Sequence, residues 1–237
     1  MKRIFVLMCV ITMAVMTMMA EDYLGVQVGY ASSITRLNTV ASGKTLDPMD
    51  YNGLKVGFLY DATIVKGFGV SIGLNYTFGA NATDWMKKVA TQPSGYPQIR
   101  SRGQYHQMEI PVDWQYKFEI AQRTWLILYT GPTLQCGLVL KDKWYARFDN
   151  KSDALTLEEN LYSKEDMADY ALKRLNVTWG IGAGLQYERY FLRGGYDFGL
   201  INPYKAKTFN ISENYQPYTR GRFDQWQIKL GIYLWEK

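Results

Sequence analysis

From Gly67 to Phe78 the chain reads GFGVSIGLNYTF, with Phe68, Val70, Ile72, Leu74, Tyr76 and Phe78 on one parity and glycine, serine, asparagine or threonine on the other. Such a period of two gives a pleated ribbon with one apolar face and one small, polar face. Met108, Ile110, Val112, Trp114, Tyr116 and Phe118 repeat it against Gln107, Glu109, Pro111, Asp113, Gln115 and Lys117. The segment 175–187 repeats it again, with Gly180, Gly182 and Gly184 on the polar side. Ribbons of this kind cannot leave open edges in lipid. The pattern therefore predicts an all-β fold closed into a barrel with its oily rows outward.

Eight strands are predicted, at 23–33, 53–62, 67–78, 105–118, 125–140, 175–188, 191–200 and 224–235. The connections alternate in length. Those at 63–66, 119–124 and 189–190 are hairpin turns, whereas 34–52, 79–104, 141–174 and 201–223 are long. This asymmetry matches an eight-stranded antiparallel up-and-down transmembrane β-barrel with short periplasmic turns and long extracellular loops. Within the third long connection, 154–172 has Leu155, Leu157, Leu161 and Met167 at loosely helical spacing, which predicts either a short surface helix or a solvated loop. A soluble lipocalin-like barrel would invert the faces, and its glycine-rich exterior would then carry unusually few charges.

The N-terminus reads as a secretory signal peptide: Lys2 and Arg3, an apolar run too short for a membrane span, then Ala20 before Glu21 and Asp22. Cleavage is expected after residue 20, leaving 21–237 as one barrel domain. The mature chain would keep only Cys136 and so could form no internal disulfide. Of the 27 basic residues, Lys2 and Arg3 lie in the leader, leaving 25 against 22 acidic residues and a net +3. That bias is too weak to argue for nucleic acid. The 19 tyrosines and 7 tryptophans fit the aromatic girdles of a membrane barrel.

By parity the lumen should hold Gln27, Lys55, Asp61, Ser71, Asn75, Glu109, Asp113, Gln115, Lys117, Gln186, Glu188, Arg193, Asp197, Gln227 and Lys229. Both signs occur: Lys55, Lys117, Arg193 and Lys229 against Asp61, Glu109, Asp113, Glu188 and Asp197. In a narrow lumen such charges are expected to pair into a plug, since an unpaired carboxylate there costs several kcal/mol. The same residues are the candidate lining of a polar conduit. Pro111 and Pro132 must each sit at a bulge or forfeit a ladder hydrogen bond.

Chemistry is sparse. His106 is the only histidine and shares the parity of Met108, facing lipid or its interface, so no Ser-His-acid arrangement is legible. Neither metal-ligand spacing nor a cofactor motif is present, and GIGAG at 180–184 alternates within a strand with no helix following. No catalytic, metal or cofactor site is expected.

Four blocks carry a family resemblance. HQMEIPVDWQYKF at 106–118, LILYTGPTLQCGL at 126–138, VTWGIGAGLQYER at 177–189 and RGGYDFGLINPY at 193–204 resemble, in order, strands of the Bacteroidota outer-membrane β-barrel family that includes the PorT-like proteins. The resemblance implies a small porin-like outer-membrane barrel, in a family where PorT-like members are associated with secretion of surface proteins. It transfers no site residue. The end IYLWEK departs from the usual terminal aromatic: Trp235 is out of parity with Leu234, which suggests a bulged last strand.

These features point to a non-enzymatic, monomeric barrel embedded in outer-membrane lipid and lipopolysaccharide. Its loops would meet an extracellular ligand or a secretion-system protein, through aromatic anchors such as Trp85, Tyr96, Trp144, Tyr145, Tyr162, Tyr204 and Tyr215. The alternatives are a small channel or transporter for small or hydrophobic solutes and, further off, a lipid-modifying barrel enzyme dependent on His106.

Overall fold

The computed structural model describes residues 21–38, 49–65, 67–82, 98–147, 154–163, 172–203 and 220–236. The leader at 1–20 and the anchors Trp85, Tyr96, Tyr204 and Tyr215 lie outside them.

The strands are β1 (Glu21–Asn38), β2 (Met49–Val65), β3 (Phe68–Ala82), β4 (Gln98–Ala121), β5 (Thr124–Arg147), β6 (Ala154–Asn160), β7 (Leu175–Tyr187), β8 (Tyr190–Gly199) and β9 (Arg220–Glu236). Eight of them close a ring in which each is antiparallel to its neighbours, in the order β1-β2-β3-β4-β5-β7-β8-β9, with β9 returning to β1. The ring is the predicted up-and-down barrel. Its longer strands outrun the expected boundaries at the end remote from the hairpin turns. There β4 and β5 continue their ladder as far as Gln98 opposite Arg147.

The ninth strand is a correction. The stretch beginning at Ala154 is not helical: β6 pairs Ala154–Asn160 with β5 from Ala146 to Lys141, after β7 has left β5 at Cys136. Backbone groups of the overhanging β5 need partners, and an adjacent extended segment satisfies them.

The two faces of the wall follow the pleat. Leu74, Tyr76, Phe78, Ile110, Leu128, Leu185, Leu192 and Leu230 are outward and exposed, while Ser71, Asn75, Thr77, Gln115 and Gln227 are buried inside. On the outer wall the Trp114 and Trp179 rings lie 5.8 Å apart, and the Trp179 indole donates to Thr130 Oγ1 at 2.9 Å. Pro111 faces inward in contact distance of the space beside Gly73, where a Cβ would come within 2.9 Å of the proline ring. The β3–β4 ladder runs from Ile72 opposite Val112 to Asn75 opposite Glu109 without pairing the residues between. Beside Pro132 the β4–β5 ladder skips likewise from Pro111 opposite Thr133 to Trp114 opposite Thr130. Both prolines forfeit ladder bonds rather than forming bulges. A bulge does occur in β9, where Trp235 and Tyr233 face Leu24 and Gly25, leaving Leu234 as the extra residue.

Candidate functional site

The inward side chains form three layers along the barrel axis. Nearest the hairpin turns, Tyr23, Leu59, Phe191 and Tyr233 pack as a buried apolar cluster. Phe191 and Tyr233 approach to 4.7 Å between ring centroids. Glycines make this possible: a Cβ on Gly231 would lie 2.1 Å from the Phe191 ring.

Above this seal lies an ionic layer organised around Asp61. Its carboxylate accepts the Tyr233 hydroxyl at 2.5 Å and Arg193 Nη2 at 2.9 Å, with Lys117 Nζ at 3.2 Å and the Gln115 amide also donating to it. Arg193 Nη1 donates to Ser71 Oγ at 3.1 Å, and Nη2 donates also to Gln115 Oε1 at 3.0 Å. Lys117 also sits over the rings of Tyr23 and Tyr233, at 4.8 and 5.6 Å, which joins the ionic layer to the seal below it.

A second hub is Glu109. Lys55 Nζ bonds it at 2.5 Å, Gln107 at 2.9 Å, Gln225 at 3.1 Å and Thr77 at 3.2 Å. From Lys55 the chain of bonds continues to Gln227 Oε1 at 2.7 Å, and from the Gln227 amide to Asp197 Oδ2 at 2.9 Å. Asp113 and Lys229 are buried in the same interior. The glycine row of β7 is the matching relief: Cβ atoms at Gly180, Gly182 and Gly184 would fall 2.5 Å from Asp197, 2.2 Å from Tyr129 and 3.0 Å from Arg193.

Toward the other end a third layer is apolar again. Tyr51, Tyr105, Leu140, Leu161, Tyr162 and Leu172 form a buried cluster with Phe223 packed against it. Tyr162 reaches into the space opposite Gly137, whose Cβ would stand 1.7 Å from the tyrosine oxygen. Arg174 lies 4.7 Å from the Tyr162 ring and donates to the Leu138 carbonyl at 2.7 Å.

Eight of the nine charged residues expected in the lumen are there: Lys55, Asp61, Glu109, Asp113, Lys117, Arg193, Asp197 and Lys229 are all buried or nearly so. Glu188 is the exception. The β7 strand ends at Tyr187, and Glu188 enters the turn with φ 51°, exposed and paired with Arg123 at 2.7 Å. Without it the expected set contains four cations and four carboxylates. Tyr162, expected as a loop anchor, is instead buried in the outer seal. Trp144 and Tyr145 stand on the overhanging part of β5. The inward aromatics Tyr23, Tyr105, Tyr129, Phe191 and Tyr233 are buried, and a parity rule that assigns only polar residues to the lumen does not mark them.

His106 faces outward, where Nδ1 shares a hydrogen bond with the Tyr76 hydroxyl at 2.5 Å and the ring meets Phe78 edge-on at 4.9 Å. Among the described residues the lumen carboxylates Asp61, Glu109, Asp113 and Asp197 are buried on the opposite face of the wall. Among the described residues no group of three His, Cys, Asp or Glu is placed to hold a metal ion.

No protein-family model matches the chain, and no curated protein matches it. Solved structures do align with it along most of its length. The attachment invasion locus protein Ail of Yersinia pestis, crystallised with the heparin analogue sucrose octasulfate, is 13% identical over 90% of this chain and 99% of its own, with a TM-score of 0.38. Neisserial surface protein A is 12% identical over 89% and 97%, at 0.36. The outer membrane protease OmpT of Escherichia coli is 9% identical over 90% and 96%, at 0.39. Similarity at this level carries no argument about ligand, partner or reaction, and the barrel assignment stands on the strand ladder itself.

Proposed function

We propose that this chain is an integral outer-membrane barrel, secreted behind a cleaved leader, that works without catalysis. The wall serves as a rigid frame, and the long connections do the recognising at the cell surface. The outer wall supports the membrane reading. On β4 the outward apolar row runs from Phe118 to Met108, ten residue steps. At a rise of about 3.3 Å and a tilt of about 40° this is a height of about 25 Å, that of an outer-membrane apolar band. The hairpin turns then face the periplasm and the overhanging β4, β5 and β6 stand outside.

The observation that carries the non-conducting reading is the stacking of the lumen. Asp61 and Glu109 are each held by several donors, and an aromatic layer lies beyond them at either end. A stable frame of this kind suits loop-borne recognition, where specificity resides in the connections rather than in the scaffold. A role beside the secretion of surface proteins is proposed on the resemblance of the four blocks to PorT-like barrels alone.

Planar-bilayer recording of the refolded chain tests the plug. The expected trace has no steady current. A sustained ohmic step would favour the channel or transporter alternative instead. Surface proteolysis of intact cells tests the orientation: cuts are expected within 83–97 or 204–219 and not at the turns 122–123 or 188–189.

A further inference from the structure

The outward face of the wall changes character just above the apolar row. On β4 the outward positions pass from Met108 and His106 to Gln104, Arg102 and Arg100; on β5 they pass from Val139 to Lys141, Lys143, Tyr145 and Arg147. Contacts fix which face this is. Arg100 and Arg102 each lie 5.6 Å from the Tyr145 ring, whereas Asp142, on the opposite face, accepts from the Tyr51 hydroxyl at 3.1 Å inside the mouth. Among the described residues of the outward face, β6 contributes one carboxylate. Glu158 is shared by Lys141 at 3.1 Å and Lys143 at 3.2 Å.

Register sets two of these cations side by side, because Arg102 is the direct cross-strand partner of Lys143. Like charges directly opposite one another destabilise a sheet, and the single Glu158 carboxylate offsets only one of the four cations Arg100, Arg102, Lys141 and Lys143, so the arrangement gains when a further anion lies beside them. A guanidinium fork beside an ammonium is suited to phosphate oxygens. The location selects the source of the phosphate. These side chains project from the flank of the wall, immediately above the hydrocarbon row, where a neighbouring lipid presents its headgroup; a soluble polyanion would meet the rim above.

We infer that the outward face of β4 and β5 above the apolar row binds the phosphates of a phosphorylated glycolipid in the outer leaflet, with Arg102 and Lys143 gripping one phosphate between them. Lys141 and Arg100 flank that position along the two strands. The inference rests on the membrane reading above.

The test uses the full mature chain in dodecyl maltoside micelles, with bisphosphorylated lipid A and its dephosphorylated form as probes and native mass spectrometry as the readout. The wild type is expected to hold the bisphosphorylated form about tenfold or more tightly than the dephosphorylated one. The R102Q/K143Q variant should lose that preference, and the charge-preserving R102K/K143R variant should keep it. Equal binding of the two lipids by the wild type, a comparison that needs no variant to fold, would overturn the site. So would an unchanged preference in R102Q/K143Q, or soluble heparin displacing bound lipid A as readily as excess lipid A does. Heat-modifiable gel migration of the wild type reports separately on the membrane reading: its absence would remove that reading and the site with it, whereas its presence with equal lipid binding would remove the site alone.

Discussion

Asp61 on β2 and Arg193 on β8 meet across the lumen at 2.9 Å, with the Tyr233 hydroxyl bonded to the same carboxylate oxygen. Both charged side chains are essentially excluded from solvent. Removing one partner of such a pair strands the other without water to solvate it. Asp61→Ala would leave both Arg193 and Lys117 unbalanced, and a loss of about 3–5 kcal/mol is expected. Urea unfolding in micelles, followed by loss of the heat-modifiable band, measures it. A loss below about 1 kcal/mol would mean that the lumen is hydrated enough to solvate these ions.

Lys55 and Glu109 allow a sharper comparison, because Gln225, Gln107 and Thr77 already hold the carboxylate. Lys55→Met and Glu109→Leu are each expected to destabilise, and the double variant to lose less than their sum by about 1–3 kcal/mol. Strict additivity in that thermodynamic cycle would refute the coupling.

The glycines of β7 and β8 make a matched pair for mutation. A Cβ on Gly182 would strike the Tyr129 ring at 2.2 Å, whereas on Gly194 the nearest atom is the Gln227 carbonyl oxygen at 3.8 Å. Gly182→Ala is therefore expected to cost about 1–3 kcal/mol through overpacking, and Gly194→Ala to stay within about 0.5 kcal/mol of the parent. Similar losses at both positions would mean that glycine is required there for something other than space.

Above the outward apolar row, hydrogen bonds from Lys141 and Lys143 hold the exposed Glu158 carboxyl below its ordinary pKa. A carboxylate with a depressed folded-state pKa stabilises the fold above its unfolded pKa, and that contribution fades as pH falls through the folded value. The protection of the β6 amides, taken relative to their intrinsic exchange rate at each pH, should accordingly fall as the solution is acidified through the carboxylate range. Glu158→Gln should show the lower protection already at neutral pH and little further change in protection on acidification.

Parity alone located the ionic interior, because a period of two leaves no freedom once one face must meet hydrocarbon. It failed where the period ends. Glu188 has the right parity but lies past the last ladder pair, Tyr187 with Tyr190, and a turn residue no longer points into the barrel. The seals were missed for a different reason. Tyr105 shares the parity of Glu109, and Phe191 that of Arg193, yet large apolar residues on an inward row contradict the simple rule of polar inside. They fit only because glycines on facing strands vacate the space they fill. That match depends on which residues face one another across the ring, which one strand read by itself cannot reveal. The extension of β5 with β6 was likewise hidden, since Ala154–Asn160 becomes a strand by borrowing the edge of a neighbour rather than by its own alternation.

The balanced charges of the lumen are contributed unequally along the chain. The β2 pair Lys55 and Asp61 and the β8 pair Arg193 and Asp197 each cancel, but β4 brings Glu109 and Asp113 against Lys117 alone, and the compensating Lys229 belongs to β9. Among these eight groups, a sheet that ends at β8 thus carries one surplus negative charge on its concave side, which only water is there to solvate. β9 supplies the missing cation together with the seam to β1, so neutralising the interior and closing the ring fall to one strand.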